Sequence, residues 1–268
     1  ITNLNNCEAV FQKHQPDFCI NAAAYTAVDK AESEPAKAFD INANGAENLA
    51  ITCKKFNTLL IHISTDFVFD AYFSEGIAYY DRELRLPLKS NLGLTETDVP
   101  FPSGVYGLTK LQGEQAIQAN WDKHFIIRTS WVYSQFGNNF MKTMLRLASE
   151  RDRLSVVADQ IGTPTNAVDL ADVLIKIIVS CHAELVSASN YGIYNFSNEG
   201  QCSWYDFANE IFHQKGVSID LKAIPTSAYP TPAKRPAYSV LDKTKIKRTF
   251  GVEIKEWQTS LATCINQL

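Results

Sequence analysis

Long apolar runs are missing from this 268-residue chain: none approaches the roughly 20 residues that a membrane helix requires. A charged-then-apolar leader is also absent, so the sequence predicts a cytoplasmic protein. Basic clusters are absent too. With a formal net charge of -4, the chain offers no electrostatic footprint for nucleic acid, and an anionic ligand must be held by a few local groups. The six cysteines stand at positions 7, 19, 53, 181, 202 and 264, with no Cys-x-x-Cys pair. That spacing excludes the usual zinc and dithiol motifs, no metal site is expected, and the thiols read as reduced. Glycine is sparse: the 12 residues are spread thinly and never form G-x-G-x-x-G or G-x-x-G-x-x-G.

What is present is an ordinary globular composition, 46% hydrophobic and 20% charged, enough to bury a full core in one large domain or a domain with a smaller lobe. Asn3 or Asn5 caps a first helix over Glu8 to His14. The run Phe18-Cys-Ile-Asn-Ala-Ala has no polar alternation and reads as a strand buried on both faces. A turn or short helix follows over Tyr25 to Glu32. Ser33 and Pro35 then open a long helix toward Phe56, with Ala38, Ile41, Gly45, Leu49 and Cys53 as its apolar stripe. Strands are predicted at Leu59-Leu-Ile-His-Ile63 and Phe125 to Trp131, separated by a helix beginning near Tyr106. Helices over Asn139 to Glu150 and Val168 to Ser180 and short strands at Leu154 to Val157 and Tyr191 to Asn195 follow. Strand, helix, strand in this order predicts an α/β fold with a Rossmann-like, doubly wound parallel sheet. Prolines at 164, 225, 230, 232 and 236 break the later part into what reads as a smaller lobe on the substrate side.

Two stretches carry chemistry. In Val105-Tyr-Gly-Leu-Thr-Lys110 a helix places Lys110 one turn from Tyr106 on the same face. An ammonium beside a phenol favours phenolate and makes Tyr106 a usable proton donor and acceptor near neutrality. With 11 Tyr in the chain, such a pair arises by chance about once, so context decides. Ser64-Thr65-Asp66 supplies that context, because it ends a strand, where open α/β sheets gather their ligands. A hydroxyl from Ser64 or Thr65 can hold a substrate oxygen while the proton moves. The set reads as carbonyl/alcohol redox chemistry.

Several stretches together resemble one family. Asn21-Ala-Ala-Ala-Tyr-Thr-Ala-Val-Asp-Lys-Ala-Glu32, Ser64-Thr-Asp-Phe-Val-Phe-Asp70, Val105 to Lys110, Arg128-Thr-Ser-Trp-Val-Tyr133, Asp159-Gln-Ile-Gly-Thr-Pro-Thr165 and Tyr229-Pro-Thr-Pro-Ala-Lys-Arg-Pro236 are similar to the dTDP-4-dehydrorhamnose reductases, extended short-chain dehydrogenases/reductases. The resemblance spans nearly the whole chain. It implies reduction of the 4-keto group of dTDP-6-deoxy-L-lyxo-4-hexulose (dTDP-4-dehydro-L-rhamnose) to dTDP-L-rhamnose, with NADPH or NADH as cofactor. It also implies Thr65, Tyr106 and Lys110 as the catalytic trio. Ala23, Ala24, Ser64, Tyr106 and Lys110 face the cofactor, while Thr65, Trp131 and Arg235 face the substrate. Asp29 and Asp66 match family positions as capping or orienting carboxylates.

The resemblance divides the chain into a nucleotide-binding part, residues 1–158, and a smaller substrate lobe, residues 159–268, partly interwoven with it. Because the chain opens on Ile1 without a glycine-rich turn, the first strands of the sheet are expected to lie upstream of it. The connection from Asp70 to Ser103, with Tyr79, Tyr80, Arg82, Arg85 and Pro87, is longer than compact domains need and is a lid or an insertion. His182 to Ser189 is a second surplus segment. A homodimer is left open. Two other readings share the scaffold: a non-catalytic relative akin to the regulatory subunit of methionine adenosyltransferase, and a nucleotide-sugar epimerase or dehydratase. Retention of Thr65, Tyr106 and Lys110 favours an enzyme, and the Arg128 and Asp159 stretches favour the reductase.

Overall fold

Four short parallel strands carry the architecture in the order β1-β2-β3-β8. The computed structural model describes residues 1–72, 93–182, 187 and 190–268. Most of the long connection after Asp70, including Tyr79, Tyr80, Arg82, Arg85 and Pro87, lies outside the described residues, as does most of the His182 to Ser189 segment.

Asn3 caps α1 (Leu4–His14) by accepting from the Asn6 N–H at 3.0 Å. β1 (Phe18–Asn21) and the single turn α2 (Val28–Ala31) follow. The long helix expected from Pro35 to Phe56 forms with one defect: α3 (Pro35–Phe39) and α4 (Gly45–Phe56) are joined by a π-helical turn, Asp40–Asn44. Within that turn the Asn42 side chain accepts from the Tyr25 N–H at 2.8 Å and donates to the Tyr25 carbonyl and to Thr109 Oγ1. The defect is therefore a polar clamp between the segment after β1 and the next helix.

β2 (Leu59–Thr65) leads into a 3₁₀ segment from Asp66, then α5 (Val105–Asn120) and the fully buried β3 (His124–Thr129). Register follows the pairs Phe18 with Leu59, Leu60 with His124, and Phe125 with Gly192 of β8 (Gly192–Asn195). Side chains alternate across the sheet. Leu60 and Ile126 meet α1, α4 and α5 through Cys7, Phe11, Leu49, Ala50 and Ile117. Leu59, Ile61, Phe125 and Ile127 meet α7 (Ala167–His182) and α9 (Thr244–Phe250) through Leu170, Val173, Ile177, Ile246 and Phe250. The full burial expected of β1 does not hold. Ile20 is 45% exposed, because among the described residues β1 is an edge strand paired only with β2. The α7 and α9 layer reaches Phe18 and stops short of Ile20.

A second core joins short elements after β3: β4 (Val132–Tyr133), α6 (Phe140–Glu150), β5 (Arg153–Val157), β6 (Ile161–Gly162) and β7 (Thr165–Asn166). With them stand β9 (Cys202–Ser203), α8 (Trp204–Lys215), β10 (Asp220–Ile224) and α10 (Trp257–Ile265). Tyr133, Met141, Phe207, Ile211, Trp257 and Leu261 fill it. Its strand β5 pairs with β10 rather than joining the main sheet, while β8 from the later sequence completes that sheet. The two parts are thus laced through each other. Among the described residues no helix is long and apolar enough to cross a membrane.

Candidate active site

The site is built where β2 ends and α5 begins. Val105 at the start of α5 donates its N–H to Glu32 Oε1 at 2.9 Å, so a carboxylate serves the helix N-terminus that Gly104 leaves without a side-chain cap. Two glycines let α5 approach its neighbours closely. A Cβ at Gly107 would lie 2.4 Å from the Phe67 carbonyl oxygen, and one at Gly113 would lie 2.2 Å from the Asn42 carbonyl oxygen. Any side chain there would push α5, and with it Tyr106 and Lys110, away from the strand end.

Thr65, Asp66 and Tyr106 converge there. Thr65 Oγ1 accepts from the Phe67 N–H and donates to Asp66 Oδ1, both at 3.2 Å. The Tyr106 ring packs edge-on against Phe67, with centroids 5.4 Å apart. Burial pushes the Tyr106 phenol up to about 12; the Thr65 hydroxyl favours phenolate and the Asp66 charge opposes it. Burial is the largest influence on the phenol, and Lys110 is not among the groups that set its direction here. Asp66 is buried, and desolvation raises its carboxyl to about 6 against the hydroxyls of Ser239 and Thr65. Among the described residues its Oδ2 has no hydrogen-bond partner.

Lys110 is also buried. Its Nζ donates to the Ile63 carbonyl at 2.7 Å and lies 3.1 Å from His62 Nε2, and the loss of solvent pulls its pKa down to about 8. One turn on, Glu114 receives Arg128 through both carboxylate oxygens, Nη2 to Oε2 at 2.6 Å and Nε to Oε1 at 3.0 Å. Ser64 donates to the same Oε1 at 2.5 Å. Being one step from Thr65 on a strand, it points to the opposite face, beneath α5, where its hydroxyl is committed to Glu114.

The remaining candidates lie around this centre. Ala23 is exposed and Ala24 half-buried just past β1, leaving that strand end open. Trp131 follows β3 with φ of 47°, a conformation few non-glycine residues adopt and one worth a functional reading. Its ring stacks on Trp204 at 3.6 Å, and a Cβ at Gly162 would strike it. The same Cβ would lie 2.9 Å from Ser239 Oγ, so Trp131 and the hydroxyl beside Asp66 border one small region. Arg235 forms a two-pronged pair with Asp29, Nη1 to Oδ1 at 2.6 Å and Nη2 to Oδ2 at 2.7 Å, which holds the Asp29 carboxyl below its ordinary value. Asp29 is thus an orienting carboxylate. Arg235 also lines a cleft of about 350 Å³ with Tyr229, Thr231 and Gln160, and its hydrogen bonds among the described residues go to Asp29 and the Ala233 carbonyl. His62, Asn21, Glu114 and Ser239 were missed in the sequence. For His62 and Glu114 a signal existed: a histidine inside an apolar strand, and a carboxylate four residues after Lys110 on the same helical face.

A parallel sheet whose strand-end threonine meets a Tyr-x-x-x-Lys helix is the arrangement of the extended short-chain dehydrogenases/reductases, and the protein is an oxidoreductase of that class. More narrowly, the chain belongs to the RmlD substrate binding domain family, whose model matches residues 1–268. It is 42% identical over 270 residues to the dTDP-4-dehydrorhamnose reductase of Aggregatibacter actinomycetemcomitans, covering 97% of this chain and 84% of that protein. The corresponding enzyme of Escherichia coli K12 is 41% identical over 263 residues, covering 95% of this chain and 80% of that one. Among solved structures, the dTDP-4-dehydrorhamnose reductase of Bacillus anthracis in complex with NADP superposes with a TM-score of 0.87 at 36% identity, covering 100% of this chain and 86% of that one. A UDP-glucose 4-epimerase of Thermus thermophilus, at 17% identity and a TM-score of 0.75, shares the fold.

Proposed function

We propose that the protein reduces the 4-keto group of dTDP-4-dehydro-L-rhamnose to give dTDP-L-rhamnose, using NADPH or NADH. The observation that carries this reading is the Tyr106 phenol set beside the Thr65 hydroxyl at a strand end, in a chain 42% identical to a dTDP-4-dehydrorhamnose reductase. A nicotinamide nucleotide fits the residues present: small side chains at Ala23 and Ala24 leave the end of β1 accessible, and Tyr106 and Lys110 border the neighbouring strand end. When bound, that cofactor supplies the hydride.

The protein's own groups do the rest. Thr65 donates a hydrogen bond to the sugar oxygen at C4 and orients it. Tyr106, which keeps its proton at neutral pH, delivers it to that oxygen as negative charge develops. Lys110 stands one turn along α5 as the polar group behind the phenol. Trp131 offers an aromatic face to the sugar, and Arg235 a guanidinium at the cleft for the diphosphate. Ser64 borders the cofactor at the same strand end, with its hydroxyl held by Glu114. Residues 1–158 serve the cofactor and residues 159–268 the sugar nucleotide, the protein is cytoplasmic, and a homodimer is the assembly to look for.

The test incubates the protein with dTDP-4-dehydro-L-rhamnose and each cofactor and follows loss of nicotinamide absorbance. Stoichiometric cofactor oxidation with formation of dTDP-L-rhamnose supports the reading. An isomerised sugar with no net cofactor oxidation would identify an epimerase instead.

A further inference from the structure

Trp204 takes no part in the reaction as described, yet it carries the ring of Trp131. Trp131 leaves β3 with φ of 47°, in the left-handed region, where a bulky side chain stays only if its surroundings over-determine it. The main chain is clipped on both sides: Ser130 Oγ donates to the Thr163 carbonyl at 2.7 Å, and the Thr165 N–H donates to the Trp131 carbonyl at 3.2 Å. Those bonds fix the backbone and leave the indole free to turn about its own side-chain torsions. Its orientation comes from the substrate-side lobe. The Trp204 ring lies 3.6 Å from it, centroid to centroid, with 12° between the planes. At Gly162 a Cβ would stand 2.7 Å from Trp131 Cε2 and Cζ2, so the lack of a side chain there gives the indole its place.

Trp204 is itself held without help from Trp131. It is the first residue of α8, and a capping box fixes that helix end: Ser203 Oγ accepts from the Asp206 N–H at 3.0 Å, and Asp206 Oδ2 accepts from the Ser203 N–H at 2.9 Å. Ser203 and Cys202 of β9 pair with Ile161 and Gly162 of β6, which sets the Trp204 ring and the opening at Gly162 in one frame. Phe140 packs against the Trp204 ring at 4.6 Å. Both indoles are half-buried, so the stack ends at the surface of the protein and not inside its core.

We propose that Trp204 is a positioning residue for the sugar of the nucleotide, acting through Trp131. Stacking holds the Trp131 indole in one orientation before any ligand arrives, so the sugar meets a ring that need not be immobilised on binding. Ordering one mobile side chain at an interface lowers affinity about three- to tenfold, and that factor is what Trp204 contributes. The inference rests on the reading that Trp131 faces the sugar. It gives Trp204 no contact with the reacting carbon, so its effect belongs in KM and ligand affinity rather than in kcat.

Calorimetric titration of dTDP-L-rhamnose and of dTDP tests this with the parent protein, Trp204→Leu, Trp204→Phe, Trp131→Ala and the double variant Trp131→Ala/Trp204→Leu. Trp204→Leu should bind dTDP-L-rhamnose about three- to tenfold more weakly and dTDP as the parent does. Trp204→Phe, which keeps a flat ring, should recover most of the loss. In the Trp131→Ala background Trp204→Leu should add nothing, because a residue that acts through another has no effect once that one is gone. Equal losses for the two ligands, or a Trp204→Leu loss that persists without Trp131, overturn the proposal. The parent gives a second measurement that needs no variant to fold. Two stacked indoles couple in the far-ultraviolet circular dichroism, and the couplet should persist when dTDP-L-rhamnose saturates the protein. A couplet that collapses on binding would show Trp131 leaving Trp204 to reach the sugar, and would overturn the proposal. A parent in which the rhamnosyl group adds no affinity over dTDP counts against the proposed function; a parent that gains from the sugar and keeps that gain in Trp204→Leu defeats this inference alone.

Discussion

Removing the charge of Glu114 should cost more than any other single-atom exchange near the site. Glu114 and Arg128 are each 1% exposed, and three Arg-to-Glu hydrogen bonds and one from Ser64 converge on the carboxylate. Arg128 also lies over the Phe69 ring at 4.9 Å, and among the described residues its Nη1 has no hydrogen-bond partner. Glu114→Gln keeps the shape, yet it leaves a guanidinium buried without a counter-charge and turns an NH2 group toward N–H donors. Breaking such a pair costs about 3–5 kcal/mol. At about 2–4 °C per kcal/mol for a chain of this size, the melting temperature should fall by roughly 6–20 °C. Replacing both partners with methionine should recover most of the loss, since the desolvation cost of the two charges disappears with them. The exposed Arg146–Glu150 pair provides the control: Glu150→Gln should change stability by less than about 1 kcal/mol. Urea and thermal unfolding of the four proteins make the comparison. A Glu114→Gln loss as small as the control would refute the claim that this pair clamps α5 to β3.

Tyr106→Phe should lower turnover by about a hundredfold or more, with sugar-nucleotide affinity retained, because only the transferable proton is removed; turnover within a few-fold of the parent would eliminate Tyr106 as the acid. Trp131→Ala should both destabilise the protein, by about 3 kcal/mol through loss of the stack on Trp204, and raise the apparent KM; a stability loss with unchanged kinetics would confine Trp131 to the core. Asp66→Asn should show its effect in pH dependence. The Asp66 carboxyl is raised to about 6 when folded, against about 3.9 in the unfolded chain. Its favourable contribution is therefore complete below about pH 4 and is lost as pH rises through about 6. The stability of Asp66→Asn relative to the parent should grow by roughly 3 kcal/mol from about pH 4 to about pH 8, and a flat difference across that range would show that Asp66 is not strained by burial.

The order of elements was legible because hydrophobic pattern and capping are local properties. Asn3 before α1, Asn139 before α6 and the apolar run ending at Thr65 each mark an element without reference to the rest of the chain. The π-helical turn at Asp40–Asn44 was not, since the hydrogen bonds that clamp it, between the Asn42 side chain and the Tyr25 backbone, are tertiary. The spacing of Tyr106 and Lys110 on one helix and the strand end at Ser64 and Thr65 were visible in the sequence, while the choice of Thr65, Tyr106 and Lys110 as a trio came from the family resemblance. The raised phenol of Tyr106 and the bond from Ser64 to Glu114 were not visible, because both depend on what the fold lays over them: desolvation in one case, the Glu114 carboxylate in the other. Arg235 read as a substrate-facing guanidinium in a proline-rich stretch, and only folding brings Asp29, more than two hundred positions earlier, against it.

The most direct test of the proposed chemistry follows one hydrogen. With nicotinamide cofactor deuterated at the transferred position and dTDP-4-dehydro-L-rhamnose as substrate, dTDP-L-rhamnose recovered from the reaction should carry one deuterium, at C4 of the sugar, and Tyr106→Phe should slow its appearance. Product that carries the label at another carbon, or a sugar converted without label, would contradict the account.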